Sequence, residues 1–239
     1  MEVQKHPHHV THKKQLKEYL LEFFMLFLAV FLGFVAENIR EHRVETMREK
    51  EYVFSLVRDI KKDMTLIDSL NLEYSATRSR CDTLLTQLMG KEILSDSYSA
   101  FRRWGTIAGF NEFVPNDGTI DQLKSSGALR LIKKKEVVDK MIDYYKTVQL
   151  IRIHESVMNT FFLEQTNRHN LFDVPRLISS KGQFPVPVLS KDEKEISSFY
   201  LYIMQWKGFL NILSADYFAT AKTKGKDLLE SVNNLYHFK

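Results

Sequence analysis

Residues 23–36 read FFMLFLAVFLGFVA, fourteen uncharged positions set between Glu22 and Glu37. At about 1.5 Å per residue this run makes roughly 21 Å of helix, short of the ~30 Å hydrocarbon core of a bilayer. Length alone argues for a core helix or the apolar part of a signal peptide. Continued from Tyr19 to Ile39, however, the helix has 21 residues and reaches about 31 Å, with each glutamate about a turn inside an end. Ten of the fourteen residues are Phe, Leu or Val, and at about −0.3 to −0.6 kcal/mol each they favour insertion by roughly 3–6 kcal/mol. A carboxylate near an end costs less than the ~3 kcal/mol expected at mid-membrane, so insertion wins. Cleavage fits poorly: Val35-Ala36-Glu37 follows Phe34 and is a weak small-residue site, and the sequence continues as a charged helix.

The expected layout follows. Residues 1–18 form a short cytoplasmic tail, 19–39 a transmembrane helix, and 40–239 a helical extracytoplasmic domain, the whole a single-pass protein of a bacterial inner membrane. Charge does not fix the orientation, because Lys5, Lys13, Lys14 and Lys17 are balanced by Arg40, Arg43, Arg48 and Lys50. A short tail ahead of a long domain is the pattern of an N-inside anchor, which puts the carboxy-terminal domain in the periplasm.

Within the span, steps of four and three place Glu22, Leu26, Ala29, Gly33, Ala36 and Glu37 on one helical face. Ala29-x-x-x-Gly33 is a small-xxx-small pattern that allows helices to approach closely. Glu22, Ala29, Gly33 and Ala36 are therefore the expected helix-packing face. A carboxylate there prefers protein or water to lipid, or simply sits at headgroup level.

Beyond the span no strand-period stretch appears, and the fold is expected to be all-α. The amino-terminal transmembrane helix continues into a long helix, followed by an antiparallel helical bundle. Val53, Val57, Ile60, Met64, Ile67, Asn71, Tyr74, Arg78, Cys81, Leu85 and Leu88 make a heptad-like seam that predicts helix to about Met89. A short helix is expected near Tyr98–Trp104, with loops at Gly105, Gly109 and Pro115, and another after Asp117-Gly118 that breaks at Ser125-Ser126-Gly127. A second long helix runs from Lys134 to about Asn167 with Val137, Met141, Tyr144, Val148, Ile151, Met158 and Phe162 inside. Residues 171–190, with three prolines, read as a connection, and Ser190 with Glu193 has capping-box spacing. The last helices bury Phe199, Ile203, Leu210, Ala221 and Leu228, with a bend near Ala215 and Gly225 as a weak point.

Composition excludes some functions. Leaving out residues 1–36, 30 basic residues face 27 acidic ones, which is no electrostatic footprint for nucleic acid. Cys81 is the sole cysteine, so neither an intrachain disulfide nor a cysteine metal site can form. None of the phosphate-loop, dinucleotide, zinc-protease or nucleophile-elbow motifs occurs. His154 and Glu155 are adjacent on a helix and diverge by about 100°, so they cannot share a metal. The histidines of the amino-terminal tail lack a supporting carboxylate beyond Glu2. No cofactor, metal or catalytic residue is expected. Arg102, Arg103 and Trp104 are the candidate partner contact, read against a bundle-capping aromatic with solvated arginines.

Three stretches occur together: YLLEFFMLFLAVFLGFVAENIREHR, YVFSLVRDIKKDMTLID and IDQLKSSGALRLIKKKEVVDKMIDYYKTV. The combination resembles an uncharacterised family of single-pass membrane proteins with an amino-terminal span, common in Bacteroidota. The matching positions are Glu22, Gly33, Asn38, Leu56, Asp59, Ser126, Gly127, Leu129, Ile132, Tyr144 and Tyr145. The chain departs from the family at the span exit, with Glu37-Asn38-Ile39-Arg40 in place of an Asn-Trp-Asn-like group. The resemblance implies the anchored layout and carries no activity with it.

The functional expectation is a non-enzymatic, membrane-anchored scaffold or accessory subunit. It would touch membrane lipid and bind a protein partner or a second copy of itself. The alternatives are an ion-coupled, stator-like subunit using Glu22, and an extracytoplasmic ligand-binding helical module.

Overall fold

The computed structural model describes residues 16–90, 93, 95–107, 109–168, 171–173, 179 and 191–237. It divides into two compact units, Met1–Glu49 and Lys50–Lys239. The first helix, α1 (Leu16–Met89), has 74 residues and contains both the apolar run and the seam. Within the first unit α1 has an 18-residue window of mean hydropathy 2.3, none of it buried, long and apolar enough to cross a membrane.

In the second unit α1 buries Val53, Leu56, Ile60, Ile67, Tyr74, Cys81, Leu84 and Leu88, the three-and-four spacing of an amphipathic helix. It closes at Gly90, whose N–H reaches the Thr86 carbonyl at 3.0 Å. Then follow α2 (Ser97–Ile107), an irregular strap over 109–117, α3 (Gly118–Ser125) and a 3₁₀ turn (Ala128–Leu131). After these come α4 (Lys135–Arg168), α5 (Glu193–Ile212), a π-turn (Leu213–Phe218) and α6 (Ala219–Tyr236). Asp96 starts α2 by accepting the Ser99 N–H at 3.0 Å. Gly105 lies inside α2 rather than in a loop. The break after α3 uses Gly127 at φ +66°, a left-handed position that glycine adopts without the penalty a Cβ brings. The cap of α5 is Asp192, whose carboxylate accepts the Lys194 N–H at 2.9 Å; Ser190 lies outside the described residues.

Side-chain contacts give the direction of each helix. Asn71, Arg78 and Asp82 on α1 meet Ser214, the Leu210 carbonyl and Lys207, so the α5–α6 arm runs antiparallel to α1. His154 and Phe161 on α4 meet Phe209 and Tyr202, so the arm is antiparallel to α4 as well. It follows that α1 and α4 are parallel to each other. A parallel pair needs a return crossover. Here α2, the strap and α3 supply it.

The strap's extended form follows from its task. Asn111 is held beside Tyr74 and Asn116 beside Asp63. Eleven residues of helix separate Tyr74 from Asp63, about 16 Å, and only five residues of strap must cover that distance. At about 3.3 Å per residue five residues suffice only when extended. The arm then closes the core: Phe218 stacks on Tyr74 with ring centres 5.8 Å apart, and Trp206 donates its indole N–H to the Ile107 carbonyl at 3.0 Å. Gly225, expected to be a weak point, is instead a close approach. A Cβ there would stand 3.3 Å from Met64 Sδ and 3.4 Å from Tyr144 Cε2.

Candidate functional site

An extended strap cannot bond its own N–H groups to a neighbouring turn, and burying them bare is costly. Carboxylates from α1 and α4 provide acceptors. Asp63, wholly buried, accepts the Asn116 backbone N–H at 2.7 Å and the Asn116 amide at 2.9 Å on Oδ1. Its Oδ2 accepts the Tyr144 hydroxyl at 2.9 Å. One turn earlier, Asp59 accepts the Thr119 hydroxyl at the start of α3. Glu155, also buried, accepts the Phe113 N–H at 2.8 Å, and Tyr74 donates to the Asn111 carbonyl. Farther out, Glu73 accepts the Asn111 amide at 2.9 and 3.0 Å, and Arg152 pairs with Asp117 at 2.7 Å.

Burial raises the Asp63 carboxyl above its ordinary value; its bonds to Asn116 and Tyr144 oppose the shift, and Asp59 adds to it. The Tyr144 and Tyr145 hydroxyls are pushed well above the usual phenol range, again first by burial and next by Asp63. Glu155 is pushed up to about 7 by burial, with Glu112 adding and the Phe113 bond and Arg152 opposing. A cavity of about 500 Å³ lies against it, lined also by Glu112, Arg152, Asn159 and Leu163. Three of its polar groups are committed elsewhere: Asn159 donates to Glu112, Arg152 holds Asp117, and Glu155 holds the strap. Chemically the arrangement anchors backbone.

This geometry gives stability an uncommon pH dependence. A carboxyl whose folded value lies above its ordinary 4.5 keeps its proton up to about pH 7, where the unfolded chain has already released it. Its stabilising contribution is therefore complete at low pH and lost as pH rises through 7. Asp63 acts in the same direction. At up to ~1.4 kcal/mol per pH unit, the loss expected from Glu155 between pH 5 and 8 is roughly 2–3 kcal/mol. Glu155→Gln keeps an oxygen for Phe113 and should flatten the dependence. Thermal unfolding of both proteins at pH 5 and pH 8 checks this, and equal slopes would contradict it.

The residues singled out from sequence lie elsewhere. Glu22, Ala29, Gly33 and Ala36 are exposed in the first unit, and a Cβ on Gly33 would meet nothing within 4 Å. Arg102 lies 6.0 Å from the Tyr98 ring centre and Arg103 donates to Gln87 at 3.2 Å. Trp104 is half-buried among Phe101, Phe172 and Phe199. His154 and Glu155 do diverge, the one to the Phe209 carbonyl and the other to Phe113. Their proximity in sequence carries no shared site. The tail histidines lie outside the described residues. Among the described residues no group of three or more His, Cys, Asp or Glu gathers as a metal site.

No protein-family model, curated protein or solved structure matches the chain.

Proposed function

We propose that the chain is a single-pass, membrane-anchored scaffold or accessory subunit of a bacterial inner membrane, with its helical domain in the periplasm. The observation that carries this reading is the contrast between the two kinds of apolar surface. In the second unit the large apolar side chains of the core are buried, Leu56, Ile60, Tyr74 and Trp206 at 1% exposure or less. Every large apolar residue from Leu20 to Phe34 is at least half exposed. A soluble core helix hides such a face, and one this large and bare calls for a solvent other than water. The helix runs unbroken through Val35-Ala36, which favours an uncleaved anchor. The strap's acids are spent on folding, which favours a binding rather than a catalytic role for the domain.

Orientation has a direct test in the chain's single thiol. Cys81 is wholly buried and its thiol is pushed up to about 12 by burial, so it gives almost no labelling background. Leu72 is 76% exposed. A Leu72→Cys chain in intact spheroplasts should react with a membrane-impermeant maleimide, and Lys17→Cys should react only after the membrane is opened. The reverse pattern would place the domain in the cytoplasm.

A further inference from the structure

The second unit carries an uncharged, apolar band on α4 and α5. Leu150, Ile153 and Val157 follow one another by three and four along α4, and Leu201, Met204 and Ile212 share a stripe of α5 through Gly208. All six are 41–60% exposed. The two stripes flank one seam, where His154 and Phe161 of α4 meet Phe209 and Tyr202 of α5. What is missing from them is charge. Between Ser197 and Ile212 the one charged residue is Lys207, and it is tied to Asp82 on α1. Between Thr147 and Leu163 the charged residues are Arg152, tied to Asp117, and Glu155, buried on the strap. Between the stripe residues the exposed side chains include Ser, Thr, Gln and Asn, and the exposed charges Lys146 and Asp216 stand at one end, next to Leu150 and Ile212. Depletion of charge at the centre of an apolar patch is the composition that marks an interface core.

We infer that this band binds the same band of a second copy of the chain, making an isologous dimer of the helical domain. A band whose centre carries no charge offers little for an acidic or basic partner to read. Against its own copy it incurs no like-charge repulsion, and two-fold pairing is the commonest closed symmetry. With about half of each of the six side chains bare, the band presents on the order of 500 Å² of apolar surface per copy. That is the larger part of the ~800 Å² per partner in a standard interface. The inference deepens the scaffold reading and rests on it for one element: anchoring two copies in one membrane raises their effective concentration, so a modest interface suffices.

The test uses the full chain in liposomes, with copies counted by single-molecule photobleaching at low protein density. Wild type should count as pairs. Val157→Glu and Leu201→Glu each place a carboxylate in the band of both copies, which should weaken pairing by a hundredfold or more on the scale of a desolvated, unpaired charge. Both positions are exposed, and a retained melting transition shows that the fold survives. A monomeric wild type overturns the inference, and so does a pair that persists in the Val157→Glu/Leu201→Glu chain. A second measurement needs no variant. Hydroxyl-radical oxidation of Met204 should slow several-fold as protein density rises. A rate that density does not change, whether fast or already slow in isolated copies, means an empty band or another occupant such as lipid, and overturns it. A chain that holds to the membrane but stays single sinks the pairing alone. One that washes off the membrane and still pairs sinks the anchor alone.

Discussion

Asp63→Ala is expected to destabilise the helical domain by about 3–5 kcal/mol, a large share of what holds any domain folded. The substitution strips the acceptor from three donors at once, the Asn116 N–H, the Asn116 amide and the Tyr144 hydroxyl. Asp63 and Tyr144 are both wholly buried, so Tyr144 has no ready replacement partner. Part of the loss is offset, since removing a buried carboxylate also removes its repulsion with Asp59. Asp63→Asn separates these contributions. It keeps an oxygen for Asn116 and can donate to the Tyr144 oxygen, so it should cost less than about 1 kcal/mol. For a domain of this size the alanine variant should lower the melting temperature by roughly 6–20 °C. Circular dichroism melts of the three proteins in the same detergent decide it. An alanine variant that melts with wild type would mean the strap is not held through Asp63.

How much of this was open to a reader of the sequence depends on how local each signal is. The α1 seam was legible because its period is written in consecutive turns, and Asn71 and Arg78, which interrupt it, turned out to bond Ser214 and the Leu210 carbonyl. The strap's acids were not read. In RDIKKDM, Asp59 and Asp63 look like members of a solvated charge run. Their role is created by a segment more than fifty residues away that must be extended and needs acceptors. One signal was available: Asp63 is in phase with Leu56, Ile60 and Ile67, so a carboxylate occupied a core position. Trp206 stands in phase with the expected core positions Phe199, Ile203 and Leu210, but what makes it a closing residue, its indole N–H to the Ile107 carbonyl, is a contact 99 residues away that no local pattern displays. Gly225 was misread because propensity sees only the missing side chain, whereas its use lies in the approach of Met64 and Tyr144. Of the residues quoted for the family resemblance, Asp59, Tyr144 and Tyr145 lie in the buried network around the strap.

The apolar run should respond most of all. Replacing Phe27 and Phe31, each exposed and near the middle of the run, by arginine exchanges two favourable contributions for two of about +2.5 to +3.5 kcal/mol. The net change of roughly 6–8 kcal/mol exceeds the 3–6 kcal/mol by which the run favours insertion, so the double variant should lose its anchor outright. The helical domain, a separate compact unit, has no part in that balance and should keep its melting transition.

Alkaline carbonate extraction of membranes from cells making the full chain tests the anchored reading most directly, with the Phe27→Arg/Phe31→Arg chain alongside. An integral single span predicts wild type in the pellet and the double-arginine chain in the supernatant. Wild-type protein released into the supernatant by the alkaline wash would contradict it.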